Sequence, residues 1–323
     1  MLTYRDIMEK GEKRIGELGL YDEVIAGVET EFNIRYNRRV FERYVFEQAA
    51  INAESSDTGI EVFGKVFETP VMTAAIASPI PRITEKGVMK VAEGVKRAGS
   101  MLWLGWPMQR NLEEIVKIGV PVGQIIKPKK NRKEIYEDLE FAESSSVTAV
   151  GIDVDSGART KYGGIPRGPV SAPLTTGELK DVFSVASRPF VIKGILSKRD
   201  AEEAMKVGVK YVIVSNHGAH AIDYLPHPLD VLPEILPVLS EDARIFVDSG
   251  FRRGTDVLKG LAFGADAVMI GRPILYALAA YESEGVEALI KIITSELRRV
   301  MTMTGVKKIS EINNEIIRTV QPY

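Results

Sequence analysis

"PFVIKGILSKRDAEEAMKVGVKYVIVSN", residues 189–216, holds two short apolar runs on either side of an amphipathic stretch. The outer runs are rich in β-branched residues and lack polar alternation, which is how strands buried on both faces read. The inner stretch, "KRDAEEAMKVG", has helical spacing and closes on Gly208, a common helix C-cap residue. Strand, helix and strand in this order predict a parallel pair joined by a right-handed crossover.

The same unit recurs in both directions. Apolar runs begin at Pro70 ("PVMTAAI"), Ser100 ("SMLWLGW"), Val122 ("VGQIIKP") and Thr148 ("TAVGIDVD"), and again at Arg244 ("RIFVDSG") and Ala267 ("AVMIGRP"). Helical stretches such as "KGVMKVAEGVKRAG" and "GTDVLKGLAFG" separate them. Eight units over about 210 residues fit the α/β class as a closed (β/α)8 TIM barrel. An open doubly wound sheet is the alternative, although no run is followed by a G-x-G-x-x-G turn. Residues 1–65 form an N-terminal extension, helical at first. Residues 66–323 form the barrel and its C-terminal helices, with no second domain and no linker. The spacing from Thr148 to Pro189 is long, and its surplus, "SGARTKYGGIPRGPVSAPLTTGE", reads as a lid or substrate loop or as a disordered connection.

Composition narrows the function. Of 323 residues, 45% are hydrophobic, enough for a full core, and the net charge of −2 offers no general attraction to nucleic acid or anionic membranes. The basic run "KPKKNRK" at 127–133 is followed at once by "EIYEDLE" and reads as a solvated loop and helix start. The absence of cysteine removes disulfides, thiolate metal sites and thiol nucleophiles. The N-terminus lacks the apolar core of a signal peptide, and no apolar run reaches the roughly 18 residues of a membrane span. These features lead to the expectation of a soluble, cytoplasmic protein without membrane or nucleic-acid partners.

In a barrel of this kind, chemistry gathers where strands end. Those ends deliver Gln124, Asp153, Asp155, Lys193, Ser215, Asn216, His217, Asp248, Gly250, Gly271 and Arg272. "DSGFRRGTD" and "IGRP" each place glycine and arginine between a strand and a helix, a pattern suited to a phosphate dianion. Lys193 fits a Schiff base, a fixed cation beside an anionic cofactor, or a structural ion pair. All three histidines, His217, His220 and His227, lie in "VIVSNHGAHAIDYLPHP". The H-x-x-H spacing of the first two admits a metal, but no third ligand or H-E-x-x-H pattern accompanies it. A single general base at His217, tuned by His220, is the favoured reading, and His227 between two prolines reads as loop.

Together, "SNHG", "D-x-G-x-R-x-G-x-D" and "IGRP" at these distances resemble the FMN-dependent 2-hydroxy acid oxidases and dehydrogenases, such as glycolate oxidase and lactate oxidase. The similarity is strongest over 191–223 and 232–279, and "YDEVIAGVETEFNIRYNRRVFER" at 21–43 resembles the family's opening segment. The resemblance implies FMN as cofactor, with Lys193 at the flavin N1/O2 edge, Ser215 and Gln124 against the ring, and Asp248 on the ribityl chain. Gly250, Arg252, Gly271 and Arg272 would hold the phosphate. His217 would take a substrate proton, paired with Asp155, during hydride or carbanion transfer to flavin N5. The implied partners are a small anionic 2-hydroxy acid and oxygen or another electron acceptor, and relatives assemble as homotetramers or octamers.

Some positions depart from the family pattern. The family's substrate-gripping arginine is His220 here, two substrate tyrosines are Glu23 and Ile126, and a flavin-contacting threonine is Ile76. An imidazole cannot make the two-pronged contact of a guanidinium. His220 and, from the shortened fourth loop, Arg159, Lys161, Tyr162 or Arg167 are the candidate substrate anchors. Two other functions remain open: a non-redox isomerase resembling type 2 isopentenyl diphosphate isomerase, and a flavin-binding protein with little catalysis.

Overall fold

The computed structural model describes residues 2–76, 79–105, 112–158 and 171–320, together with the backbone of 161–162 and 165–166. All eight expected strands form: β1 (Val71–Thr73), β2 (Leu102–Leu104), β3 (Val122–Ile126), β4 (Ala149–Asp153), β5 (Phe190–Ile195), β6 (Tyr211–Val214), β7 (Arg244–Val247) and β8 (Ala267–Ile270). They pair in parallel in the order β1-β8-β7-β6-β5-β4-β3-β2. A parallel bridge between Ile76 and Leu104 joins the two ends, helped by the Thr73 hydroxyl, which accepts from the Trp103 amide at 2.8 Å. The sheet therefore closes into a barrel, and the open-sheet alternative is set aside.

The strands read as unbroken apolar runs because both faces are covered. Outward side chains such as Val150, Ile152, Val212 and Val214 pack under helices, while Met72, Trp103, Ile125, Ile213 and Phe246 fill the interior. Glycine makes room for the largest of these. A methyl group at Gly123 would lie 2.3 Å from the Trp103 ring, so β3 must be bare at that point. A hairpin of Ile60–Val62 and Lys65–Phe67 plugs the N-terminal end. Its tip residue Phe63 stacks on Phe246 at 5.6 Å and meets Trp103 edge-on at 5.9 Å.

The extension begins with the helix Tyr4–Glu17, started by a capping box of Thr3 and Asp6. It packs along the final helix, Arg272–Met303, which is broken at Tyr281 and Glu282. Tyr44–Phe46 pairs antiparallel with Ile317–Thr319, tying the two chain ends together. No described helix is long and apolar enough to cross a membrane.

Two readings need correction. His227 is not in an open loop: it is fully buried and caps the helix Pro228–Ile235, its Nδ1 accepting from the Leu229 amide at 3.1 Å. Its Nε2 meets the Ser249 carbonyl at 2.7 Å and pins the end of β7. The basic run at 127–133 is also not simply solvated. Lys127 is ion-paired with Asp153, Lys129 with Asp138 at 2.7 Å, and Arg132 with Glu178 at 2.9 Å. Arg132 also donates to the Ala172 carbonyl at 3.1 Å, so the run clasps the returning end of the fourth loop. The charge pattern alone could not reveal these partners, because most are distant in sequence.

Candidate active site

The strand ends converge on a cavity of about 610 Å³ at the C-terminal mouth. Its wall includes Lys193, His217, His220, Asp248, Gly250, Arg252, Gly271 and Arg272, all expected from the sequence. Gln124, midway along β3, and Ser215, directly after β6, are buried and are not part of that wall. Arg159 lies outside the described residues. Tyr162 is described only as backbone, in a short antiparallel pairing with Ile165.

His217 sits on a constrained turn. Its φ is +58°, and Gly218 and Ala219 follow at +60° and +74°. Such a run is sustained only when its surroundings hold it. Here Ser215 Oγ accepts from the His217 amide at 3.0 Å, and Ser249 Oγ accepts from the Asn216 amide at 3.1 Å. Asn216 in turn exchanges hydrogen bonds of 3.0 and 2.7 Å with Asn37 of the N-terminal segment. Ser249 and Asn37 escaped the sequence reading because each is an unassigned position within a quoted segment, and its partner is distant in sequence.

The imidazole faces two carboxylates. His217 Nδ1 is 2.8 Å from Asp155 Oδ1 and 3.5 Å from Asp153 Oδ1. Lys193 Nζ is 3.1 Å from Asp153 and 3.5 Å from the same imidazole nitrogen. β5 bulges to admit this arrangement. Gly194 has φ +95°, and a methyl group there would lie 2.6 Å from the Asp155 carboxyl carbon. Burial acts to raise both carboxyls, yet they split. Asp153, facing His217, Lys127 and Lys193, is held well below the usual carboxylate range. Asp155, buried beside ionised Asp153, is pushed well above it. Burial also acts to lower Lys193, but Asp153, Asp155 and Asp248 outweigh it and keep its ammonium charged. A charged, ion-paired amine does not suit the Schiff-base reading, which needs a neutral nucleophile. Asp153, Asp155 and His217 place their ligand atoms within 4.8 Å of one another. Two ammonium groups already answer this set, and His220 is turned away, so the H-x-x-H pair does not converge on one ion.

The positions that depart from the family pattern have their own logic. His220 Nε2 is 2.8 Å from the Ala26 carbonyl and 3.2 Å from Arg272. Glu23, nearly buried in the cavity wall, is ion-paired with Arg82 from the segment after β1. Ile126 is buried in the core. Arg272 donates to the carbonyls of Val24 at 2.8 Å and Gly218 at 2.7 Å.

A closed parallel barrel with glycine–arginine turns after β7 and β8 and an acid–base cluster between β4 and β6 is the architecture of a phosphate-tailed cofactor enzyme. A family model described as FMN-dependent dehydrogenase matches residues 13–163 and 164–319, and the chain belongs to that family. It is an FMN-dependent oxidoreductase. It is 30% identical to a 2-hydroxyacid oxidase of Dictyostelium discoideum, over 98% of this chain and 90% of the relative. It is 29% identical to an L-lactate oxidase of Lentilactobacillus hilgardii, over 96% and 92%. Among solved structures, mandelate oxidase with (S)-2-phenylpropionate superposes with a TM-score of 0.88 at 26% identity, covering 99% of this chain and 98% of the other. A flavocytochrome b2 double mutant with pyruvate bound gives 0.90 at 25% identity, covering 100% and 90%.

The residues present fit FMN. Gln124 Oε1 is buried without a hydrogen-bond partner, as an acceptor awaiting a polar ring edge would be. Arg252 in the cavity wall makes no side-chain hydrogen bond or ion pair among the described residues, leaving its guanidinium available to a phosphate.

Proposed function

We propose that this protein oxidises a small 2-hydroxy acid of the lactate or glycolate type to the 2-oxo acid, with His217 as the base. The observation that carries the proposal is the 2.8 Å contact from His217 Nδ1 to Asp155 beside the Lys193 ammonium. With Nδ1 engaged by Asp155, Nε2 would be the imidazole nitrogen that meets substrate. Asp155 orients the ring, and ionised Asp153, 3.5 Å from Nδ1, stabilises the imidazolium that forms when Nε2 takes a proton.

Bound FMN supplies a two-electron acceptor at N5. His217 would take the substrate's hydroxyl proton if the Cα–H leaves as hydride, or the α-proton itself if a carbanion forms first. Lys193 would hold positive charge beside the ring and favour its anionic reduced form. Gln124 and Ser215 would meet the ring, and Asp248 the ribityl hydroxyls. Gly250, Arg252, Gly271 and Arg272 would hold the phosphate. His220, with Arg159 and Tyr162 from the fourth loop, would meet the substrate's carboxylate. Oxygen or another acceptor would then return the enzyme to its oxidised state.

The purified protein should be yellow and should bleach anaerobically with at least one member of a panel of 2-hydroxy acids. His217→Gln should keep the colour and abolish the bleaching. Bleaching by the same substrate at an unchanged rate in that variant would defeat the assignment of the base.

A further inference from the structure

Lys127 follows β3 directly and lines the cavity. Its ammonium is ion-paired with Asp153 Oδ2 and lies 2.9 Å from Ser156 Oγ. The other oxygen of Asp153 holds Lys193 at 3.1 Å. One buried carboxylate thus serves two ammonium groups, while Asp155 serves His217. Without Lys127, Asp153 and Lys193 would neutralise each other as a closed pair. With it, two cations share that carboxylate.

We infer that Lys127 is a positioning residue: by taking half of Asp153 it leaves the Lys193 ammonium incompletely neutralised and places an extra positive charge beneath His217. The inference rests on the reading of His217 as base and Lys193 as the cation beside the ring. It has two consequences. An anion held against the pocket floor is stabilised, and protonation of His217 is opposed, which keeps the imidazole in its proton-accepting form to lower pH. The charges are close and shielded from water, so screening by solvent is weak. Among the described residues, the charged and titratable groups around His217 are Asp153 and Asp155 from the end of β4, Lys193 from β5 and Lys127 after β3. Asp248 acts on Lys193 from just after β7, and Arg272, with His220 beside it, donates to the carbonyl of Gly218, the residue after His217. Lys127 can be neutralised while all of these stay in place.

The chain has three histidines, so the His217 imidazole can be followed by nitrogen NMR and assigned with His217→Gln. Lys127→Met should raise the His217 pKa by about one unit, and Lys127→Arg should leave it near the wild-type value. The same proteins loaded with FMN are then titrated with sulfite, whose sulfur bonds to flavin N5 and leaves the ring anionic. The sulfite Kd should rise about tenfold in Lys127→Met and much less in Lys127→Arg. If Lys127→Met lowers the melting temperature but changes neither the pKa nor the sulfite Kd, Lys127 is a packing residue and the inference is overturned. If that variant does not fold, Lys127→Gln, which keeps a polar head and removes only the charge, should shift both readouts in the same directions, and no shift overturns the inference. Reduction by substrate that survives His217→Gln would end the catalytic reading while leaving the NMR result to stand or fall alone.

Discussion

At the N-terminal end of the barrel, Phe63 stacks on Phe246 beside Trp103; at the other end of the barrel, Asp153 holds two lysines. The first region is apolar, closely packed and shaped by glycine, as at Gly123. The second is a set of buried charges whose members each depend on another. Burying a charge is tolerated only when partners replace water, and removing one partner leaves the rest uncompensated. The plugged end is built for stability, while the mouth keeps groups whose value is chemical. The turn carrying His217 shows the same division, since its left-handed backbone is held by Ser215 and Ser249 rather than by favourable local geometry.

Substitutions that damage one end and spare the other test this contrast. His217→Gln should lower the rate of substrate reduction about a thousandfold with little change in melting temperature. A large loss of stability instead would mean that the imidazole is structural. Trp103→Ala should cost about 4 kcal/mol of unfolding free energy, read from the denaturant midpoint, while the folded fraction keeps its flavin colour.

His227 joins the two regimes, a titratable group buried as though apolar. Burial lowers its pKa from the ordinary 6.5 to about 4. The unfolded chain therefore binds a proton that the folded chain refuses between these values. Its contribution is fully present above pH 6.5 and is lost as pH falls toward 4, amounting to about 3 kcal/mol over that window. Denaturant midpoints measured across the window should show this loss in the wild type and not in His227→Gln. The smallest effect belongs to the rim. Thr175 caps the helix Thr176–Val185 in a reciprocal box with Glu178, and Thr175→Ala should cost about 1 kcal/mol without altering the cavity.

Much of this was legible from residue order. The eight strands appear where apolar runs lack alternation, and His217, Lys193 and the two glycine–arginine turns follow from the rule that chemistry gathers at strand ends. What escaped has a common cause. Lys127 and Arg132 read as solvated because Asp153 lies 26 residues from the one and Glu178 lies 46 residues from the other. His227 read as loop because its cap bond is local but its second partner, Ser249, comes from another strand. Glu23 looked like a lost tyrosine until Arg82 was found beside it.

By itself, the sequence determined the periodicity of the chain, and with it the barrel, the ends of its strands and the type of cofactor those ends suit. These are properties of short segments, set by which side chains repeat at which spacing. Only the tertiary structure decided which charge answers which: that Asp155 takes the imidazole, that Asp153 is divided between two lysines, and that His220 turns to a backbone carbonyl. Such pairings depend on separations of a few ångströms between residues far apart in the chain, and no local pattern encodes them.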